Sequence, residues 1–248
     1  MMLSCLRDGS ADIVFLDPPF NLGKTYGRRR ARADQLEEDE YFRHLRQVLD
    51  RSASILKPGG ALYLYHLPRW ALRLAEVLRD QLVFRHWIAI SMKNGFPKGK
   101  YLYPAHYALL YFTKGETATF VRPKVEPARC RHCGLYTKDY GGYARFVSNG
   151  VNLSDVWDDL SPVRHKRYKH RRSNELPMQI PGRVIEMSGR RNGLFVDPFA
   201  GSGTGLVSAL RAGMRFVASE RERENCLLMS RRLPRQSSPL RKGTRHAR

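Results

Sequence analysis

Short apolar runs alternate with amphipathic stretches along most of this chain. The apolar runs are rich in β-branched and aromatic residues, which is typical of buried strands. They lie at 11–16, 61–66, 83–92, 106–113, 194–196 and 215–219. Between them, apolar residues three and four positions apart predict helices at 37–56, 68–81, 175–188, 203–212 and 222–232. Because strands and helices alternate, the sequence predicts an α/β fold with a mostly parallel, twisted sheet and helices on both faces.

Proline and glycine mark the expected ends of these helices. The run Lys57-Pro58-Gly59-Gly60 should stop the first helix, and Pro68 should open the second. Pro181 must lie near a break or in the first turn of the helix predicted at 175–188, because proline inside a helix removes a hydrogen bond.

The regular pattern divides the chain into regions. From 114 to 162 the periodicity gives way to Gly, Pro, Tyr and Arg, which indicates an insertion with little regular structure. Residues 234–248 are basic and rich in Pro and Ser, as expected of a disordered tail. The chain has 248 residues with 42% hydrophobic content, so 1–113 and 163–233 are expected to be two halves of one domain.

The charge balance points to a polyanionic partner. Lys and Arg number 44 against 23 Asp and Glu, which gives a formal net charge of +21. Basic clusters recur at 27–33, 164–172 and 231–248. No apolar run approaches the ~18 residues that cross a bilayer, and the four scattered cysteines do not suggest a disulfide framework. The sequence therefore predicts a soluble, cytoplasmic protein that does not bind membranes.

The first candidate for chemistry is a corner at the end of the first strand. Asp17 follows an apolar run and precedes Pro18 and Pro19. The two prolines fix two φ angles and remove two backbone donors, so the carbonyls and the carboxylate form a rigid group of acceptors. Taken alone, the tetrapeptide is equally consistent with a sharp turn that has no chemical role.

The corner is echoed near the C-terminal end, where LFVDPFAG at 194–201 resembles VFLDPPF at 14–20. If the two strands are neighbours where the winding of the sheet reverses, Asp17 and Asp197 face one crevice. The glycine-rich run at 201–205 fits neither phosphate-binding pattern, and an adjacent aspartate suits a cationic or zwitterionic ligand better. Glu220 follows the next strand, where a carboxylate can accept both hydroxyls of a ribose.

At this point the sequence resembles the S-adenosylmethionine-dependent DNA amino-methyltransferases. Asp17-Pro18-Pro19-Phe20 resembles the catalytic tetrapeptide of that family. Asp197-Pro198-Phe199-Ala200-Gly201-Ser202-Gly203-Thr204 resembles its cofactor motif. The order of the motifs is similar to the permuted beta group, which implies a Rossmann-like methyltransferase fold with circularly permuted motifs.

The resemblance also implies the roles of the regions. The segment 1–113 would be the catalytic half, 114–162 the target-recognition insertion and 163–233 the S-adenosylmethionine-binding half. Asp17, Glu220 and Asn174 would contribute to the cofactor pocket, whose methionine side the stretches 155–160 and 174–185 would close. Double-stranded DNA would be the substrate, and a homodimer and a partner restriction endonuclease are further expectations.

The mechanism implied by the resemblance agrees with the residues. The amino group of a base is a poor nucleophile, because its lone pair is delocalised into the ring. Acceptance of its hydrogens by the Asp17 carboxylate and the Pro18 carbonyl frees that lone pair for attack on a methyl group. Phe20 would stack on the base once the base is flipped out of the duplex. Carbon-5 methylation of cytosine would need a cysteine nucleophile, usually after proline, and no cysteine here follows a proline.

Two alternatives stay open. An aspartate at the first position of the tetrapeptide favours adenine-N6 as the target, with cytosine-N4 as the alternative. Family members commonly carry a further strand before the catalytic one, whereas this chain starts about ten residues before its first strand. A truncated, non-catalytic DNA-binding homologue with a poorer adenine pocket is therefore the second reading.

The insertion contains a separate candidate metal site. Cys130 and Cys133 have zinc-knuckle spacing, but a closed zinc site needs four ligands. His132, His165, His170 or a second subunit would have to complete it, and a turn with two thiols is the alternative. The run at 138–146 interleaves basic, aromatic and glycine residues, as DNA-contacting loops often do. Two further histidines, His66 and His106, are expected to be core or rim residues rather than catalytic bases.

Overall fold

A computed structural model describes residues 2–22, 36–91, 100, 102, 104–130, 132–138, 147–160 and 175–233. A short 3-10 helix, Met2–Cys5, precedes the first strand. The strands of the described residues are β1 Ala11–Leu16, β2 Leu56–His66, β3 Val83–Ser91, β4 His106–Thr113, β5 Lys124–Val125, β6 Val151–Asn152, β7 Val156–Trp157, β8 Leu194–Asp197 and β9 Arg215–Ala218. The α-helices are α1 Glu38–Ile55, α2 Pro68–Arg79, α3 Gln179–Ser188, α4 Thr204–Arg211 and α5 Arg223–Arg232.

Seven of these strands form one sheet in the order β7-β3-β4-β2-β1-β8-β9. Strand β4 is antiparallel to both of its neighbours, whereas the other neighbouring pairs are parallel. The prediction of a mostly parallel sheet is therefore confirmed. The reversal at β4 agrees with the absence of a predicted helix between 92 and 106, because a parallel connection needs a crossover.

Helices cover both faces of the sheet. Successive residues of β1 point to opposite sides, so that Val14 and Leu16 pack against α1 and α2, whereas Ile13 and Phe15 pack on the side of α3. The strands at the centre are buried on both faces, which explains why their sequences are mostly apolar, apart from Asp12 in β1.

The structure differs from the sequence-based prediction at the start of β2. Helix α1 ends at Ile55, before the run Lys57–Gly60, as expected. The following strand was expected to begin at 61 but begins at Leu56, and within it Gly59 N–H donates to Lys114 O at 2.7 Å and Lys114 N–H donates to Gly60 O at 2.9 Å.

In the insertion, the described residues contain only two-residue strands: β5 pairs with β6, and β7 pairs with β3. Strands of two residues are too short to show a periodicity, and they agree with the expectation of little regular structure.

A buried carboxylate ties together the edge of the sheet at which β1 and β8 begin. Asp12 is 8% exposed and accepts hydrogen bonds from Lys57 Nζ at 2.7 Å, Arg190 Nε at 2.6 Å and Leu194 N at 2.8 Å. Burial raises the pKa of Asp12, but these hydrogen bonds lower it more, so the net pKa lies below the ordinary 3.8. Asp12 thereby joins β1, β2 and the start of β8 at the edge opposite the carboxyl ends of these strands.

In the part of the chain that the structure describes, no helix combines the length and the apolar character needed to cross a membrane.

We expect Asp12→Asn to lower the free energy of unfolding by about 2 kcal/mol at neutral pH, because it removes hydrogen bonds between ionised groups. The stabilisation from the lowered pKa is present above about pH 4 and is lost as pH falls through the folded-state value, so the two proteins should converge in acid. Urea titrations at pH 7 and pH 3 measure this. Asp8→Asn, which removes an exposed partner of Arg51, is the control and should change stability by less than about 1 kcal/mol. Equal losses in both variants would contradict a special role for Asp12.

Candidate active site

The carboxyl ends of four parallel strands meet at one edge of the sheet. Asp17 follows β1, His66 ends β2, Asp197 ends β8 and Glu220 lies two residues after β9. Because β4 runs in the opposite direction, its second residue, Tyr107, reaches the same edge. The two strands that end in similar Asp-Pro sequences, β1 and β8, are neighbours in the sheet and pair in parallel. The winding of the sheet reverses between them, which is where α/β sheets bind ligands.

Aromatic rings surround the Asp17 corner. Phe20 is 9% exposed and stacks on the His66 ring with centroids 5.0 Å apart. It is tilted against Tyr65 at 6.0 Å and Tyr107 at 5.6 Å. Burial, and after it the charge of Asp17, raises the pKa of both tyrosines. Both phenols therefore keep their protons beside a carboxylate, and the corner combines an acceptor with flat apolar walls.

Tyr41 of α1 contacts the backbone of the Asp17–Phe20 tetrapeptide. The Tyr41 hydroxyl donates to the Pro19 carbonyl, and its oxygen lies 2.7 Å from His66 Nε2. His66 is fully buried, as expected of a core residue, and burial followed by the charge of Arg69 lowers its pKa to about 3. The contact of Tyr41 and His66 with the tetrapeptide was not predicted, because both residues fit the apolar pattern of their own elements.

The second motif forms a tight turn between β8 and α4. Asp197 is 3% exposed, and its Oδ1 accepts from Phe199 N at 3.0 Å. A Cβ on Gly205 would lie 3.0 Å from Asp197 Oδ2, so a larger residue there would crowd the carboxylate. Gly201 and Gly203 have φ values of 53° and 81°, a conformation that glycine adopts without strain.

Packing against α5 is a second reason for glycine at position 203. In the structure, a Cβ on Gly203 would lie 2.6 Å from Met229 Cγ of α5. Substitution of Gly203 would therefore first disturb the packing of α5, which makes it a poor test of ligand binding.

An arginine from the last helix holds the glycine turn. Arg232 Nη1 donates to Ser202 O at 2.9 Å, to Ser202 Oγ at 3.0 Å and to Thr204 Oγ1 at 3.3 Å. It also pairs with Glu175 at 3.3 Å, and both side chains of this pair are nearly buried. Nothing in the sequence distinguished Arg232 from the other arginines of its basic cluster, so this contact was not predicted.

Of the other residues predicted to form the pocket, the structure describes Glu220 and the stretch 155–160. Glu220 is half-buried, and its Oε1 accepts from Glu222 N at 2.7 Å, which orients the carboxylate. In the stretch 155–160, Asp159 pairs with Arg183, which anchors this stretch to α3. Asn174 lies outside the described residues.

The geometry suits a ligand with positive charge and several hydroxyl or amino donors. Three carboxylates, Asp17, Asp197 and Glu220, lie at one edge of a chain whose net charge is +21. Such an edge repels phosphate and accepts hydrogens. A glycine turn that opens a helix stands beside the acceptor corner, so two ligands could meet between the two motifs.

Solved structures of DNA methyltransferases share this architecture. The fold matches a PvuII DNA methyltransferase (cytosine-N4-specific) with a TM-score of 0.66 at 15% identity, over 95% of this chain and 83% of that chain. It matches an M1.HpyAVI–SAM complex with a TM-score of 0.63 at 18% identity, over 93% of this chain and 91% of that chain. The fold is therefore that of a Rossmann-like DNA methyltransferase domain, as predicted.

The sequence family is equally clear. A family model described as DNA methylase, of the N6/N4 methyltransferases, matches residues 11–231, and the chain belongs to that family. The chain is 40% identical to type II methyltransferase M.BamHI of Bacillus amyloliquefaciens, over 91% of this chain and 53% of that protein. It is 30% identical to M.HpaI of Haemophilus parainfluenzae, over 82% of this chain and 61% of that protein. The chain thus spans little more than half of these relatives.

The cysteine pair lies in a knuckle-like turn of the insertion. Cys130 N donates to Leu135 O at 2.7 Å, Gly134 N donates to Cys130 O at 2.9 Å, and Gly134 has a φ of 71°. Hydrogen bonds from the backbone of Cys133 and His132 lower the pKa of the Cys130 thiol. Within the described ranges, no group of three or more potential ligands could hold a metal. His165 and His170 lie outside those ranges, so zinc stays a prediction.

If the knuckle binds zinc, the purified protein should contain about one ion per chain or per pair of chains, and Cys130→Ser should lose it. Metal analysis by mass spectrometry measures both. Cys5→Ser removes an exposed thiol elsewhere and should keep the metal. A folded, metal-free wild-type protein would leave the turn with two thiols as the correct interpretation.

Proposed function

We propose that this chain transfers a methyl group from S-adenosylmethionine to the exocyclic amino group of a base in double-stranded DNA. The observation that carries the proposal is the parallel pairing of β1 and β8, which places the Asp17 corner and the Asp197 turn side by side. Membership in the DNA methylase family and the net charge of +21 support DNA as the substrate.

The residues of the second motif fit the cofactor. Backbone and side-chain donors of the turn 201–204, with the carboxylates of Asp197 and Glu220, provide partners for an amino acid group and for ribose hydroxyls. When bound, S-adenosylmethionine supplies an electrophilic methyl group on a positively charged sulfur. The acidic edge of the sheet favours that positive charge, and Arg232 keeps the turn in one conformation.

The first motif acts on the base. The Asp17 carboxylate and the Pro18 carbonyl accept the two hydrogens of the amino group, which draws the nitrogen towards tetrahedral geometry and exposes its lone pair. Phe20, Tyr65 and Tyr107 form apolar walls for a flat ring that has left the duplex. The acceptors serve adenine and cytosine alike, and the aspartate at the first position is the reason to propose adenine-N6 first.

The partners follow from the family. The relatives M.BamHI and M.HpaI are named type II methyltransferases, which supports a restriction-modification setting and an accompanying endonuclease. The homodimer stays a prediction. The non-catalytic alternative keeps the fold and the DNA affinity without methyl transfer, and the experiments below separate it from the enzyme.

We expect Asp17→Ala to lower the single-turnover rate of methyl transfer by a factor on the order of 10²–10³, because one of two acceptors for the nucleophile is lost. Affinities for S-adenosylmethionine and DNA should change far less. Asp80→Ala removes an exposed carboxylate at the end of α2 and should behave like the wild type.

Mass spectrometry of the modified DNA, digested to nucleosides, identifies the target. N6-methyladenine is expected, N4-methylcytosine would overturn the choice of base, and 5-methylcytosine would overturn the mechanism. A wild-type protein that binds DNA but methylates no nucleoside would support the non-catalytic alternative.

We expect Arg232→Ala to weaken S-adenosylmethionine binding about tenfold, because the glycine turn loses the donor that holds Ser202 and Thr204. Calorimetry measures the affinity. Arg231→Ala is the matched control, since the neighbouring arginine of the same helix is exposed. Equal affinities in the two variants would show that Arg232 does not order the cofactor site.

A further inference from the structure

We infer that Tyr41 and His66 are positioning residues that set the conformation of the catalytic tetrapeptide through the Pro19 carbonyl. The inference rests on the proposed function, because it assigns these residues a part in that reaction. Neither residue needs to touch a substrate for this role, since the contact runs through the backbone of the turn.

The hydrogen bonds determine where each proton lies. Leu67 N donates to His66 Nδ1 at 2.7 Å, so the proton of the neutral imidazole is on Nε2. Nε2–H therefore donates to the Tyr41 oxygen, which is 2.7 Å away. The Tyr41 hydroxyl proton is then directed to the Pro19 carbonyl. The chain of donors runs in one direction, from the backbone after β2 to the backbone of the tetrapeptide.

This hydrogen-bonded relay of His66, Tyr41 and the Pro19 carbonyl restrains a backbone angle that the proline ring does not. A proline ring fixes φ, but ψ stays free to rotate. The ψ angle of Pro19 determines the direction of its carbonyl and the path of the chain into Phe20. The Tyr41 hydroxyl binds that carbonyl, and the His66 ring stacks on Phe20 with centroids 5.0 Å apart. Tyr41 and His66 therefore fix both the direction of the Pro19 carbonyl and the position of Phe20.

The surroundings keep the relay in one state. His66 is 0% and Tyr41 1% exposed, and the edge of Tyr41 packs on Trp70 with centroids 4.6 Å apart. Arg69 is the charged group that acts on His66, and its positive charge opposes protonation of the imidazole. His66 thus stays neutral across the physiological range, and the direction of the donors does not change with pH.

The primary test is Tyr41→Phe, which removes the donor and keeps the ring. A tetrapeptide displaced by a fraction of an ångström should lower the single-turnover rate of methyl transfer about 10- to 100-fold, with unchanged affinity for S-adenosylmethionine. Tyr63→Phe is the matched control, because it removes another buried hydroxyl, bonded to Ser188 at 2.7 Å, in the core beside α3. Equal rates in the two variants would overturn the inference.

A second pair of variants separates positioning from stability. His66→Gln keeps a donor near the position of Nε2, whereas His66→Leu does not, so only the glutamine should recover a substantial part of the rate. Nitrogen NMR of the imidazole should show an Nε2–H tautomer that does not titrate between pH 5 and pH 8. An imidazole that protonates in that range would overturn the relay.

The outcomes also distinguish this inference from the proposed function. A wild-type protein without methyl transfer would contradict the proposed function, while the NMR result would still report on the relay. An active wild type whose Tyr41→Phe variant is equally active would contradict the relay alone.

Discussion

The central position of strand β1 is the constraint on which the site depends. Parallel hydrogen bonding to β2 on one side and to β8 on the other leaves β1 no freedom to slide, since a shift by one residue would exchange its two buried faces. The register therefore fixes which residue ends the strand at the catalytic edge. At the opposite edge, Asp12 joins the same three strands. Asp17 and Asp197 are presented together because β1 is held at both ends.

Much of this arrangement could be predicted from the sequence, because strong physical signals carry it. The strands predicted at 11–16, where Asp12 is the only charged residue, and at 106–113 are mostly apolar, and they agree residue for residue with β1 and β4. The similarity of the two Asp-Pro corners led to the hypothesis that their strands are neighbours in the sheet, and the pairing of β1 with β8 confirms that they are. Pro181 lies in the first turn of α3, as the chemistry of proline requires.

The features that could not be predicted depend on the tertiary structure. Tyr41 and His66 were unremarkable members of an apolar helix face and a buried strand, and only the packing of α1 against β2 brings them to Pro19. Arg232 is one of many basic residues in the sequence, and only the position of α5 in the fold brings it into contact with Ser202 of the glycine turn. Strand β7 has two residues, and its existence depends on the free edge of β3 rather than on its own sequence.

The order of the elements along the chain has a consequence for synthesis on the ribosome. Every residue of the relay to Pro19 lies within the first 67 positions, in β1, α1 and β2 with the turns that follow the two strands. The contacts of the glycine turn with Glu175 and Arg232 lie within the last third of the chain. The two groups meet through β1 and β8, where Asp12 and Leu194 are 182 residues apart. One half of the site can therefore become ordered while the other is still being translated, and the late addition of β8 to an existing strand completes the crevice.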